Sequence, residues 1–450
     1  MSPTPRGPSR RELLAGAIGG AAGLAGGAGL WSLRGPERGT AAANDLPYLL
    51  GKGEPSLPQG LLRADVRAFK GGSGSDYHQA FTDALNAADA VYVPPGEWLT
   101  ERTVEVPSGK ALWSDGSFDF EDASRAGAVI RAKGSMRSTV RLSGNSAMLS
   151  GVNIDGAGVA ESAIEFGGDS LLLEHVTAKG GRNFALKATG NFCTIWGGLF
   201  QQVSNAGYAV FQQGSDLIMY GARVKRGRVP LWVAGSGGIL GLLHVTGKTE
   251  PGNASAAVVR VTGPRNQFVN VYYDSSLGPS VLLEGGASGN RFIGMTVRNS
   301  GSNGTFPVIR CDAEAGPVRD NRFDGFHTDA ARGSGWSFLL EMVGTPEALS
   351  GNQLGSGLAD DCKQLWNLRP ATVGEIASGG ALSRNSGAVQ LPSGQRRAVV
   401  PHGLKGVPRT VTVTTSKGGP APGVSVGQAQ IVLAWSSPPG ALTAYWSAEL

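Results

Sequence analysis

Seven side chains in the middle of the chain, Trp196, Tyr220, Arg223, Lys225, His244, Tyr272 and Asp274, are of the types that chemistry on a sugar chain uses. Aromatic faces stack on a pyranose ring, and a cation neutralises a uronate carboxylate. An imidazole or phenol beside that carboxylate can take the proton it has made acidic. This is the equipment for β-elimination on an acidic polysaccharide, with Arg223, His244, Tyr272 and Asp274 as catalytic candidates. Trp196, Tyr220 and Lys225 are then the substrate contacts. A glycoside hydrolase would instead set two carboxyls across the scissile bond. Asp274 and Asp329 could stand about 9–10 Å apart, two strand spacings, near the upper limit for an inverting pair. Arg298 falls between them, which suits a ladder of ion pairs better.

These residues are far apart in sequence, so something must array them. From about residue 145 to 343 one pattern recurs: apolar, two residues, apolar, one residue, apolar. Its instances are Leu149/Val152/Ile154, Leu173/Val176/Ala178, Ile195/Gly198/Phe200, Met219/Ala222/Val224, Leu240/Leu243/Val245, Phe268/Val271/Tyr273, Phe292/Met295/Val297 and Phe323/Phe326/Thr328. The first members lie 24, 22, 24, 21, 28, 24 and 31 residues apart. A second apolar strand follows in most units, as in Ala163-Ile164-Glu165-Phe166 and Val258-Val259-Arg260-Val261, alternating with the period of two that strands require. Such short units cannot each bury an apolar face, but stacked as coils they share one core. No segment sustains a 3.6-residue period, so helical repeats are excluded. The expected fold is all-β, a right-handed parallel β-helix.

That register predicts outward columns. One reads Asn153, Thr177, Leu199, Arg223, His244, Tyr272, Thr296, His327, and the next Asp155, Lys179, Gln201, Lys225, Thr246, Asp274, Arg298, Asp329. A third contains Trp196, Tyr220 and Asp324, so the seven candidates gather on one face. Asn191, Asp216, Asn266, Asn290 and Asn321 open successive units, where a turn needs a side chain that tolerates unusual φ. Glu165, Lys187, Arg260, Glu284, Arg310 and Glu341 read as one outward column of cross-strand charge pairs with a structural role.

Composition agrees. Only 17% of residues are charged and 70 of 450 are Gly, as in a β-rich chain with many tight turns. Of the net charge of +5, residues 1–43 contribute +3. The remaining +2 is too weak to argue for nucleic acid as a partner. Cys193, Cys311 and Cys362 allow at most one bridge, and no C-x-x-C or H-E-x-x-H spacing occurs, so neither a disulfide framework nor a metal or other cofactor is expected.

Residues 1–43 carry an export address. Arg10-Arg11 precedes Leu13-Leu14 and a glycine-diluted apolar stretch, and Ala41-Ala42-Ala43 offers a cleavage site. The arrangement resembles a bacterial twin-arginine signal, implying a secreted, extracellular protein with no membrane span after cleavage. Glycines at 16, 19, 20, 23, 26, 27 and 29 make that stretch a poor transmembrane helix.

Before the repeats, Asp76-Tyr77-His78-Gln79 looks like a capping box, and Tyr77, Phe81, Leu85 and Ala88 follow on one helical face. Asp65-Val66-Arg67-Ala68-Phe69, the helix at 76–88 and Val91-Tyr92-Val93-Pro94-Pro95-Gly96 resemble the N-terminal entry of the pectate-lyase-like superfamily, which phage tailspikes and polygalacturonase-related proteins share. The resemblance covers roughly residues 60–345. It implies the right-handed parallel β-helix and a polysaccharide ligand. Gly71-Gly72-Ser73-Gly74-Ser75 replaces the usual Gly-Asp-Gly, and the polygalacturonase motifs and the pectate lyase calcium aspartates are not matched.

The expected organisation is a signal (1–43), a β-helix with an N-terminal helical cap (44–369), a Gly/Ser/Ala-rich linker (370–395) and a small C-terminal β-sandwich (396–450). Pro401-His402-Gly403-Leu404 resembles a turn in C-terminal modules of tail-fibre proteins that bind sugar or trimerise, leaving a homotrimer open. Trp435, Tyr445 and Trp446 could stack on sugar, although in a small sandwich such rings more often form the core. The function expected is polysaccharide binding and cleavage, lyase before hydrolase. The alternative is a non-catalytic glycan-binding envelope or matrix scaffold of tailspike ancestry.

Overall fold

The computed structural model describes residues 62–69, 76–116, 127–247 and most of 256–449. The residues read as an export signal lie outside them. Within them the chain winds as a parallel β-solenoid with three walls, sheets of 12, 11 and 11 strands. The first wall runs from Arg63–Asp65 through Thr194–Trp196 to Gln353–Leu354. The second runs from Gly96–Thr100 to Gly357–Leu358, and the third from Val104–Val106 to Cys362–Arg369. The solenoid thus begins before the repeat is legible, in coils whose turns break the pattern.

Each predicted apolar triplet is one inward strand position on the first wall, a bend, and one inward position on the second. From Leu149 to Phe323 the first-wall positions are fully buried. Phe268, Phe292 and Phe323 stack there at centroid separations of 4.5 and 4.7 Å. In seven successive coils, from Gly151-Val152 to Gly294-Met295, the first and second walls are joined by two residues. The first of the two takes a left-handed φ: Gly197 at 66°, Gly221 at 65°, but also Leu242 at 52° and Asn270 at 51°. One such residue turns the strand sharply while both flanking strands keep their register.

Two expectations about these coils need correcting. Asp216 does take a left-handed φ (55°), but Asn266, Asn290 and Asn321 do not; there that role falls on the neighbours Arg265, Gly289 and Asp320. The asparagines are buried and pair coil to coil instead. Asn266 Nδ2 donates to Asn290 Oδ1 (3.2 Å), Asn290 Nδ2 to Asn321 Oδ1 (2.9 Å) and Asn321 Nδ2 to Asn352 Oδ1 (2.9 Å). The third-wall charge column is also interrupted. Its register runs Glu165, Lys187, Phe211, Trp232, Arg260, Leu282, Arg310, Glu341. Glu284 pairs with Asp312, two residues further along the strand, and reaches Arg260 (2.6 Å) diagonally.

The helix His78–Ala87 buries Ala80, Phe81, Ala84 and Leu85, and Phe81 meets Trp98 edge-on at 6.1 Å. No capping box forms. Gln79 Nε2 bonds Asp83 Oδ1, and Asp76 Oδ1 accepts from the backbone N–H of His78 (3.0 Å) and Glu101 (3.1 Å). After the solenoid come two small antiparallel sheets of three strands each. Arg384–Leu391 is one of those strands, inside the span read as linker; it pairs along its whole length with Leu442–Glu449, a long-range partner that local composition does not reveal. Residues 370–383 lie outside those described. Trp435 and Trp446 are buried in this part, as is His402, whose Nε2 lies 2.9 Å from Gly427 O, while Tyr445 is 52% exposed.

Candidate functional site

The fixed two-residue bend is what assembles the site. It carries the third residue of each first-wall strand and the first residue of each second-wall strand to a common edge. The register places Trp196 beside Tyr220, Arg223 beside His244, His244 beside Tyr272, and Lys225, Thr246 and Asp274 in one row. All seven residues singled out by type and spacing therefore lie on one strip spanning four coils. Neighbours on it are about 4.8 Å apart.

Trp196 is 47% exposed, and its ring stacks on Tyr220 with centroids 5.5 Å apart and planes 23° from parallel. Tyr220 leans over the backbone of Gly241 in the next coil. Leu242 and Ile293, also exposed, extend the apolar edge along the first wall. The pair thus gives a flat platform at one end of the strip.

The polar end begins at Arg223, which is exposed and makes no ion pair among the described residues. His244 is held on three sides. Its ring meets Tyr272 edge-to-face at 4.9 Å, and its Nε2 lies 3.2 Å from Thr246 Oγ1 and 3.6 Å from Asp274 Oδ2. The Arg298 guanidinium lies beside the Tyr272 hydroxyl, and its Nε is 3.4 Å from Asp329 Oδ2. The Tyr272 hydroxyl, with Asp329 and then Asp274, pushes the Arg298 guanidinium above its usual range. A phenol beside a guanidinium and touching an imidazole can pass a proton either way. The pairing of Asp329 with Arg298 makes that carboxylate a structural partner and weakens the Asp274/Asp329 hydrolase arrangement.

Sequence reasoning missed three contributors. Gly241 makes room for Tyr220, Thr246 fixes the His244 ring, and Arg298 lies beside Tyr272; Thr246 stood in a predicted column without a role, and Arg298 only as a rung of an ion ladder. It also missed a second aromatic group. On the third wall Phe184, Tyr208, Phe211 and Trp232 form a connected cluster, with centroid separations between 4.7 and 5.9 Å. Phe211 and Trp232 occupy the same strand offset as Lys187 and Arg260, and that offset was the available signal. Among the described residues no cluster of His, Cys, Asp and Glu could hold a metal ion.

No protein-family model matches the chain, and no curated protein matches it in sequence. Solved structures do share its fold. The catalytic domain of a GH87 α-1,3-glucanase, in complex with tetrasaccharides, matches at 10% identity with a TM-score of 0.50, covering 67% of this chain and 59% of its own. The Dettilon tailspike protein matches at 11% identity and a TM-score of 0.47, covering 86% of this chain and 94% of its own. The A-module of the Azotobacter vinelandii mannuronan C-5 epimerase AlgE4 matches at 12% and 0.45, covering 68% and 97%. At such identities the likeness is one of fold: the chain is a parallel β-solenoid, and its chemistry rests on its own side chains.

Proposed function

We propose that this protein binds a polysaccharide along the Trp196–Asp274 strip and cleaves it by β-elimination at a uronate residue. The observation that carries the reading is the passage, within four coils, from the Trp196–Tyr220 platform to Arg223, His244, Tyr272 and Asp274. A sugar ring stacks on the platform, and Arg223 and Lys225 meet the carboxylate of a neighbouring uronate. That carboxylate acidifies the adjacent C5 proton, which His244 removes, with Asp274 stabilising the imidazolium that forms. The C4–O bond then breaks, a C4–C5 double bond forms, and Tyr272 supplies the proton to the departing oxygen. A solved glucanase holding tetrasaccharides on the same fold is compatible with this use of it. The twin-arginine address assigns the protein to the extracellular side. The small C-terminal sheets, arranged as a sandwich, serve as an accessory module.

The test is release of unsaturated uronate ends, read in the ultraviolet, from a panel of acidic polysaccharides. Activity on one of them, lost in Arg223→Ala and His244→Ala, is the expected result; activity that survives both changes would remove this site from consideration. Retention on glycan without product on any substrate would favour the second reading, a glycan-binding matrix scaffold, which the Trp196–Tyr220 platform alone supports. Lysine at both Arg10 and Arg11 should keep the protein inside the cell.

A further inference from the structure

We infer that the third wall carries a second glycan-contact strip, so that one molecule holds two polysaccharide chains and cross-links them. The inference rests on the reading that the Trp196 strip binds glycan, and adds a site on a separate sheet of the same solenoid. In the outward column of the third wall the coils before the aromatics carry Arg141, Glu165 and Lys187, and those after carry Arg260, Leu282, Arg310 and Glu341. Phe211 and Trp232 interrupt the charges in two consecutive coils, Leu282 in one. Phe184 stacks on Phe211 at 5.2 Å and on Tyr208 at 5.9 Å, and Trp232 tilts by 48° against Phe211 and by 43° against Tyr208. The tilt leaves the rings imperfectly stacked, and each stays half-buried.

The borders of this cluster are polar and fixed. Lys187 lies over Phe184 at 5.5 Å and pairs with Glu161 at 3.3 Å. Arg260 lies over Trp232 at 4.6 Å and pairs with Glu284 at 2.6 Å. Trp232 Nε1 donates to Thr262 Oγ1 at 3.1 Å, which locks the indole. Rings framed by paired donors and acceptors suit a ligand with apolar C–H faces and hydroxyl edges, which is a sugar.

The area argues against a protein partner. An aromatic side chain offers about 150–250 Å², so four half-buried rings expose a few hundred Å² together, short of the ~800 Å² per partner of a stable interface. Because Lys187 and Arg260 are already neutralised by Glu161 and Glu284, this strip should accept neutral as well as acidic segments, whereas the Arg223 strip requires an acid.

The experiment uses the full chain in a His244→Ala background, so that no substrate is cut. The probes are long-chain alginate, polygalacturonate and hyaluronate, with dextran as the neutral polymer. Binding is read as retardation in affinity electrophoresis, and cross-linking as turbidity. The protein should be retarded by at least one uronate polymer and cloud it. Phe211→Leu/Trp232→Leu should weaken retardation about three- to tenfold and abolish the turbidity, with the circular dichroism spectrum unchanged. Trp196→Ala should also abolish turbidity while some retardation persists, on dextran included.

Unchanged retardation and turbidity in Phe211→Leu/Trp232→Leu, with loss in Trp196→Ala, would overturn this inference and leave the first strip standing. The opposite pattern would retain the third-wall strip and remove the first. No retardation of the starting protein by any of the four polymers would overturn both. A dimer in sedimentation that dissociates in Phe211→Leu/Trp232→Leu would make the cluster a protein interface and likewise overturn the proposal.

Discussion

Tyr220 lies so close over Gly241 that a Cβ there would sit 2.3 Å from its Cε1 atom. Nothing larger than hydrogen at position 241 allows the ring to keep its place against Trp196. Gly241→Ala should therefore displace Tyr220 and weaken glycan retention about two- to tenfold, the worth of an aromatic pair at about 0.5–1.5 kcal/mol. Affinity electrophoresis reads the effect, and an unchanged circular dichroism spectrum separates it from misfolding.

Tyr272→Phe removes the hydroxyl beside Arg298 but keeps the edge contact with His244. The elimination rate should fall about 100-fold or more, with retention on the same polysaccharide unchanged. An equal fall in both would make Tyr272 a binding contact only.

The asparagine ladder predicts a stability effect far from the site. Asn290→Ala takes the acceptor from the buried backbone N–H of Asn266, whose amide keeps Gly235 O, and takes one of two donors from Asn321 Oδ1, which keeps the backbone N–H of residue 290. The expected loss is about 1–3 kcal/mol, measured by urea unfolding, with glycan binding intact in the folded fraction.

Acid should loosen the start of the helix. Burial raises the Asp76 pKa, but the N–H groups of His78 and Glu101 outweigh it and hold the carboxyl below its ordinary value. Burial, then the Arg102 charge, pushes the His78 imidazole down. Both folded values are depressed, so both groups contribute stability above their unfolded pKa values, roughly 3.9 and 6.5, and lose it as pH falls through the folded ones. Asp76→Ala should cost about 1 kcal/mol at pH 7. The difference from the parent should shrink as the carboxyl protonates, which unfolding midpoints at neutral and acid pH would show.

Thiol labelling checks the interior. Burial pushes Cys193 up to about 11 and Cys311 up to about 12, and neither is bridged. In the folded protein at pH 8 only Cys362 should react with a thiol reagent, and all three after denaturation.

The coil register was legible in sequence because its cause is local. An inward residue such as Leu240, a two-residue bend and a second inward residue such as Val245 repeat with little variation, so the row from Arg223 to Tyr272 could be written down before any coordinates. The third wall was harder. Tyr208–Gln212 and Val229–Val233 show no charged outward position, so nothing in the charge column marks Phe211 and Trp232 as outward. Gly241 was invisible for another reason: its importance lies in the ring of a residue one coil earlier. The asparagines were noticed, but a positive φ and a ladder of amide bonds leave the same mark in a sequence.

From Gly151-Val152 to Gly294-Met295 the bend between the first and second walls stays at two residues, whereas over the same coils the stretch between the second and third walls ranges from three residues (226–228) to twelve (247–258). Length can therefore be added along one seam without moving any column of the strip. Foreign peptides grafted between Thr246 and Val259 should be carried as passengers, and a single residue inserted between Tyr220 and Arg223 should push Arg223 and Lys225 out of line with His244 and Thr246.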